Sequence, residues 1–125
     1  MAYTIFDHAD VPEWLARAKA EAPADRLGML LLHNGVVRGT SRAGEHVKAM
    51  KLEVDRHRLE EVAAQAAATT GIEVVYVWVN EGDLQIGDDI MYVLVAGDIR
   101  PNVIPCLETL VREIKTTALK ETEIS

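Results

Sequence analysis

Hydrophobic and polar positions divide the chain into short strands separated by amphipathic helices. Two apolar runs, 74–79 and 90–95, are rich in β-branched and aromatic residues and are too short for buried helices, so they predict strands. The segment between them, 80–89, carries two glycines and four acidic residues, which is typical of a turn. The pattern therefore predicts an antiparallel, hairpin-like pair of central strands.

Two more segments have strand patterns. Residues 27–33 form a continuous apolar run that is typical of a buried strand. Residues 48–54 alternate instead, with Met50 and Leu52 on one face and Lys51 and Glu53 on the other. This second segment predicts a half-exposed strand.

Three helices are predicted from caps and apolar stripes. The first begins at the N-cap Asp10, has Pro12 in its first turn and ends before Pro23. The second follows the N-cap Asp55, and the third follows Pro101. Their apolar stripes comprise Leu59, Val62, Ala63, Ala66 and Ala67, and Val103, Cys106, Leu107, Leu110, Val111 and Ile114. The order of elements predicts an α+β, two-layer domain with a largely antiparallel sheet.

The length of 125 residues predicts a single domain with its own core over residues 1–125. Within it, 1–26 is interpreted as an N-terminal helical extension. Residues 115–125 lose the apolar stripe and are expected to form a loosely held tail. With 49% apolar and 26% charged residues, the composition is that of an ordinary globular protein.

Charge and hydropathy exclude several classes of function. The net charge of −7 argues against an extended nucleic-acid-binding surface but leaves room for a local basic pocket. The chain has no apolar run of about 18 residues and no signal-peptide pattern, so neither a membrane span nor secretion is predicted. The lone Cys106 cannot form an internal disulfide, and the expected compartment is the cytoplasm.

The residues offer no pattern for a metal site or a nucleophile. The four histidines share no metal-ligand spacing, and the chain has neither a G-x-S-x-G motif nor a P-loop. Cys106 lies on the apolar stripe of the third helix, which favours a buried packing thiol over a reactive one.

Four basic residues are candidates for anion chemistry. Arg100 precedes Pro101 at a helix N-terminus, where the dipole favours an anion, although an ordinary surface arginine fits as well. Arg38 follows a glycine-containing loop that could approach a ligand closely. Lys115 and Lys120 follow the third helix and could simply complement its dipole, an explanation that suits Lys115 better than Lys120.

Several motifs in register carry a family resemblance. A strand runs into Gly35-Val36-Val37-Arg38, a G-x-V-R pattern, and residues 82–88 match G-x-L-x-[IV]-G-[ED]. Arg100 stands thirteen positions after Gly87, and Lys115 stands fifteen after Arg100. With these spacings, the stretch 27–120 resembles the large, catalytic subunit of molybdopterin synthase, the MoaE family.

The resemblance implies an α/β-hammerhead type of fold and an activity in molybdenum-cofactor synthesis. The large subunit of that family holds cyclic pyranopterin monophosphate while a small ubiquitin-like sulfur carrier, MoaD-like, inserts its C-terminal thiocarboxylate. Two sulfur transfers then build the dithiolene of molybdopterin. No resident cofactor or metal is implied, because other proteins insert molybdenum later.

The resemblance also implies roles for the basic residues. Arg38 and Arg100 would bind the substrate phosphate, Lys115 is the first candidate for the catalytic lysine, and Lys120 is the second. A helix between Arg100 and Lys115 separates them by roughly 20 Å, too far to share a small ligand within one chain. We therefore expect a two-fold homodimer whose interface involves the exposed sheet edge or the loop after Arg38.

Departures from the family pattern leave two alternatives open. The family has a histidine before its arginine where this chain has Ile99, and a Trp-Lys pair where it has Leu119-Lys120 at shorter spacing. These differences favour a non-catalytic MoaE-like protein that binds a pterin phosphate or a ubiquitin-like tail. The third interpretation is a small α+β regulatory or scaffold module that matches the motifs by coincidence.

Overall fold

The computed structural model describes residues 2–125, which form two β-sheets, three α-helices and one π-helical turn. In chain order the elements are β1 (Ala2–Phe6), α1 (Val11–Glu21), β2 (Met29–Val36), β3 (Ala49–Val54), α2 (Arg56–Ala67), β4 (Ile72–Val79), β5 (Gly82–Gln85), β6 (Asp89–Gly97), α3 (Arg100–Glu113), the π-helical turn (Ile114–Ala118) and β7 (Leu119–Ile124). The α+β class is as predicted.

The larger sheet has the strand order β1-β4-β6-β2. β4 and β6 are antiparallel, with Val75 opposite Val95 and Val77 opposite Val93, which confirms the predicted central pair. β2 lies antiparallel on the other side of β6. β1 pairs with β4 in parallel, so the expectation of a helical extension over residues 1–26 is wrong for Ala2–Phe6, which form an edge strand.

The smaller sheet has the order β5-β3-β7, with both pairings antiparallel. The predicted alternation of β3 is confirmed, since Met50 and Leu52 are buried and Lys51 and Glu53 are exposed. Within the predicted turn, residues 82–85 pair with β3 instead. The expectation of a loosely held tail is wrong for Leu119–Ile124, because these residues form β7 and pair with the whole of β3.

The predicted caps are confirmed at both of the first two helices. The side chain of Asp10 accepts a hydrogen bond from the Glu13 amide at 3.1 Å. Asp55 accepts one from the Arg58 amide at 3.0 Å. Such a cap stabilises a helix by about 1 kcal/mol because it satisfies an otherwise unpaired amide.

The larger sheet is covered on both faces. Its inward valines, such as Val75 and Val93, share one core with α2, α3 and the smaller sheet. On the opposite face, Trp14 and Ala18 of α1 pack against Tyr76. Full burial of one large apolar side chain stabilises the fold by roughly 2 kcal/mol. None of the helices within residues 2–125 is long and apolar enough to cross a membrane.

Candidate active site

Lys115 lies in the π-helical turn that ends α3. The turn closes with a hydrogen bond from the amide of Leu119 to the carbonyl of Ile114, five residues earlier. Ile114 and Ala118 are buried, whereas Lys115 is exposed. Because π-helical turns are rare and frequently occur at functional sites, the local backbone supports Lys115 as a candidate functional residue.

The start of α2 holds the turn in place. Arg58 donates from Nε to the hydroxyl of Thr117 at 3.0 Å and from Nη2 to the carboxylate of Glu113 at 3.4 Å. The amide of Asp55 donates to the carbonyl of Ala118 at 2.7 Å. The position of Lys115 therefore depends on packing between α2 and the end of α3.

Arg38 and Lys115 line the same cavity, so the structure brings together two of the four predicted site residues. This cavity has a volume of about 510 Å³ and is also lined by Arg42, Glu121 and Glu123. A second cavity of about 790 Å³ continues along α3 beyond Lys115. We call the two cavities together the Lys115 groove. Both are within the size range of small-molecule sites.

Four residues line both cavities and so mark their junction. They are His33 of β2, Arg42 of the following loop, Lys115 and Glu121 of β7. The groove is thus assembled from segments that are distant in sequence.

The first cavity carries the charge needed for a small anion. Three cationic side chains, Arg38, Arg42 and Lys115, face two carboxylates, Glu121 and Glu123. This local excess of cationic over acidic side chains contrasts with the net charge of −7 of the whole chain. Guanidinium groups bind phosphate in a bidentate manner, so a phosphate fits the chemistry of this cavity.

His33 is the titratable group whose ordinary pKa lies nearest to neutrality in the groove. Partial burial lowers the pKa of its imidazole, and the positive charge of Lys115 lowers it further. The ring is therefore neutral at physiological pH and can accept a proton or a hydrogen bond.

Arg100 lines a different cavity, of about 560 Å³, at the start of α3. Arg100 is the first of the fourteen residues of α3, and the turn that carries Lys115 follows the last, so the helix separates them by roughly 20 Å. A carboxylate already lies at this helix end, since Asp98 accepts hydrogen bonds from the Ile99 amide at 2.6 Å and the Asn102 side chain at 2.9 Å. The hydrogen bond from Asn102 contributes most to lowering the pKa of Asp98, and the bond from the Ile99 amide lowers it further.

Lys120 does not line the Lys115 groove. It is opposite Glu53 in the β3–β7 register, and its Nζ is 4.0 Å from the Glu53 carboxylate. Successive side chains of a strand point to opposite faces, so Lys120 faces away from its groove-lining neighbour Glu121. Its side chain is 78% exposed.

Sequence reasoning missed His33, Arg42 and Glu121 as groove residues. Arg42 lies in a polar loop that folds back on itself, with the Ser41 amide bonded to the Glu45 carbonyl at 2.8 Å and the Val47 amide to that of Gly39 at 2.9 Å. The one available signal was its position four residues after Arg38 in the same loop. Glu121 could not be identified from the sequence, because the pattern of residues 115–125 predicts a loosely held tail rather than a strand.

Cys106 is a packing residue, as predicted. Its side chain is buried on the apolar stripe of α3, and its thiol contacts the carbonyl oxygen of Ala66 at 3.7 Å. Burial raises the pKa of the thiol, which disfavours the reactive thiolate. Residues 2–125 contain no cluster of three or more histidine, cysteine or acidic side chains that could hold a metal ion.

The chain was compared with protein families, curated proteins and solved structures. The family model described as MoaE protein matches residues 6–117, which is most of the chain. No match was found among curated proteins.

Three solved structures illustrate the likeness. A molybdopterin biosynthesis MoaE protein from Burkholderia ambifaria is 26% identical, with a TM-score of 0.74 over 98% of this chain and 82% of that one. A molybdopterin synthase from Staphylococcus aureus is 16% identical, with a TM-score of 0.74 over 96% and 88%. A complex of subunits 1 and 2 of molybdopterin-converting factor from Helicobacter pylori is 20% identical, with a TM-score of 0.69 over 97% and 83%. The last two likenesses concern the fold alone.

Proposed function

The chain belongs to the MoaE family and has a role in molybdopterin synthesis, and we propose that it is the large subunit of a molybdopterin synthase. In this proposal it converts cyclic pyranopterin monophosphate to molybdopterin with sulfur from a thiocarboxylated, ubiquitin-like small subunit. The observation that carries the proposal is the presence of Arg38 and Lys115 in one groove of a chain from this family.

The substrate phosphate binds in the first cavity of the Lys115 groove. Arg38 and Arg42 lie there and offer two guanidinium groups, each able to donate two parallel hydrogen bonds to phosphate oxygens. Lys115 lines both cavities and so reaches the phosphate and whatever occupies the second cavity. Its ammonium group stabilises negative charge that develops on oxygen or sulfur during the transfer.

The second cavity receives the C-terminal tail of the small subunit. It runs along α3 and is lined by Leu107 and Val111 as well as by polar groups, so it offers an apolar wall to an extended peptide. A partner of this kind agrees with the complex of the two subunits from Helicobacter pylori. The tail would thereby bring its thiocarboxylate to Lys115, where the substrate is held.

A two-fold homodimer completes the site. Within one protomer, α3 keeps Arg100 away from Lys115, and Arg100 lines its own cavity. If Arg100 takes part in phosphate binding, it must therefore do so in the groove of the partner. The placement of Lys120 beside Glu53 gives it no part in its own groove, which makes Lys115 the stronger candidate for catalysis. The proposed compartment is the cytoplasm.

The second candidate function is binding without turnover. The observation that favours it is Ile99, an exposed apolar side chain at the position where the family has a histidine. In this alternative, the groove holds the pterin phosphate or the small-subunit tail, but no sulfur is transferred.

The test is conversion of cyclic pyranopterin monophosphate by the purified chain with a thiocarboxylated small subunit. Molybdopterin is read as its oxidised fluorescent product. Lys115→Ala should abolish conversion and leave the fold and small-subunit binding intact. Lys51→Ala is the matched control, because Lys51 is an exposed lysine on the outer face of β3. Binding of the small subunit by the unaltered chain without product would instead support the non-catalytic alternative.

A further inference from the structure

His33 occupies the junction of the two cavities. It lies on β2 opposite Val93 of β6 and lines both parts of the Lys115 groove. Its ring lies over Gly35, since a β-carbon added to that glycine would be 3.6 Å from the Nε2 atom. Such a distance is an ordinary van der Waals contact, so the ring lies directly beside the Gly35 backbone.

The imidazole is a free hydrogen-bonding group. No hydrogen bond joins either ring nitrogen to another residue between Ala2 and Ser125, whereas the nearby Asn34 side chain bonds to Asp89 at 3.1 Å. His33 therefore keeps a donor and an acceptor at the edge of a cavity, where a bound molecule can reach them.

Charged groups face this part of the groove from every surrounding element. Besides Lys115, they are Arg38 and Arg42 of the loop, Glu108 and Arg112 of α3, and Glu121 and Glu123 of β7. Of these charges, that of Lys115 lowers the pKa of His33. The imidazole of His33 therefore stays neutral beside this lysine.

We propose that His33 is a further catalytic residue of this groove, an imidazole that exchanges a proton with the bound reactants beside Lys115. The inference rests on the proposed synthase function. It assigns to the groove itself the imidazole that position 99 lacks in this chain. Arg38, Arg42 and Lys115 bind and stabilise anions, and His33 is the group that moves a proton near neutral pH.

The step that needs this group is release of sulfur from the carrier. This step starts from a thioester in which one sulfur atom joins the acyl carbon of the carrier to a substrate carbon. His33 takes a proton from water as the water oxygen bonds to the acyl carbon. The carbon–sulfur bond of the thioester then breaks, and the imidazolium returns the proton to the departing sulfur. The products are the carboxylic acid of the carrier and the thiol of the substrate, so atoms and charge balance.

The first test measures the placement of His33 without any reaction. Ring signals of labelled histidine are titrated by NMR, and His33→Phe identifies the His33 signal. Lys115→Ala should raise the pKa of His33 because a neighbouring cation is removed, whereas Lys51→Ala should leave it unchanged. A His33 pKa that is the same in Lys115→Ala means that the two groups do not interact, and it overturns the proposal.

The second test measures conversion as a function of pH. His33→Phe keeps a ring of similar size but cannot carry a proton, so kcat should fall about a hundredfold and the acid limb of the profile should disappear. In His33→Ala, added imidazole should restore part of the rate. A His33→Phe variant with the rate and pH profile of the unaltered chain overturns this inference alone. No product from the unaltered chain overturns the synthase proposal, and this inference with it.

Discussion

Replacing Arg58 should loosen the turn that carries Lys115 without touching the groove. The guanidinium bonds to the Thr117 hydroxyl at 3.0 Å and to the Glu113 carboxylate at 3.4 Å, and a third contact reaches Glu61 at 3.7 Å. Thr117 belongs to the π-helical turn, and Glu113 is the residue just before it. Arg58→Ala removes all three contacts at once.

The expected loss of stability follows from these contacts. A hydrogen bond from a charged donor contributes about 1.5–3 kcal/mol when it is buried, and an exposed ion pair contributes less than about 1 kcal/mol. The Arg58 side chain is 28% exposed, which places it between these cases. We expect Arg58→Ala to lower the free energy of unfolding by about 1–2 kcal/mol, and the Tm of a chain of this size by about 4–8 °C.

Arg56→Ala is the matched control on the same helix. Among residues 2–125, its guanidinium forms a single ion pair, with Glu81 at 3.9 Å, and its side chain is 60% exposed. This variant should lose less than about 0.5 kcal/mol. Both substitutions remove one arginine from α2, so a difference between them reports the contacts of Arg58 rather than helix propensity or net charge.

Urea unfolding and the conversion assay together test whether Arg58 positions Lys115. At a temperature where both variants are folded, Arg58→Ala should turn over at least about tenfold more slowly than Arg56→Ala, because small displacements of a catalytic group are costly. Equal unfolding midpoints and equal rates for the two variants would refute the reasoning that Arg58 positions Lys115.

Two further predictions concern the start of α3. Mixed dimers of Arg100→Ala and Lys115→Ala chains should recover about a quarter of the activity of the unaltered dimer, since half of the dimers hold one intact shared site; inactive mixtures whose dimers are confirmed by differently tagged chains would contradict a shared site. Asp98→Asn should destabilise the protein at neutral pH, because hydrogen bonds from Asn102 and the Ile99 amide lower the pKa of Asp98. That stability is present above the ordinary carboxyl pKa of about 4 and is lost as the pH falls through the lower folded value, so the urea midpoints of the two proteins should lie closer together at pH 3 than at pH 7; an equal difference at pH 7 and pH 3 would contradict this.

Local chemistry made the central elements of the fold predictable. The caps Asp10 and Asp55 and the apolar runs of β4 and β6 act within a few residues, so their effects can be read from short windows. The face of β3 could likewise be assigned from its own alternation.

The edge strands β5 and β7 could not be predicted, because their stability comes from partners elsewhere in the chain. β7 has the sequence LKETEI, whose weak alternation resembles a solvated tail, and it becomes a strand by pairing with β3. β5 lies within a segment rich in glycine and acidic residues and is held by the other edge of β3. Strand formation in such segments depends on tertiary context more than on intrinsic propensity.

The candidate site was only partly predictable, because its residues come together through contacts between distant segments. Arg38 and Lys115 could be proposed individually, but their meeting requires the ends of β2 and α3 to converge on the same groove. The exclusion of Lys120 from its own groove follows from the register of β7, since a slip of one residue would exchange its face with that of Glu121. No local pattern contains that register.

Ile99 lies far from the groove in this arrangement. It is 56% exposed at the start of α3, beside Arg100 and about one helix length from the Lys115 groove. A site completed by the partner would receive an apolar side chain from this end of α3, which cannot move a proton. His33 of strand β2 already lies in the groove, which Lys115 also lines. A proton-transfer group held within the protomer would make the chemistry less dependent on which residue the partner presents, while the guanidinium of Arg100 would still make phosphate binding depend on the dimer.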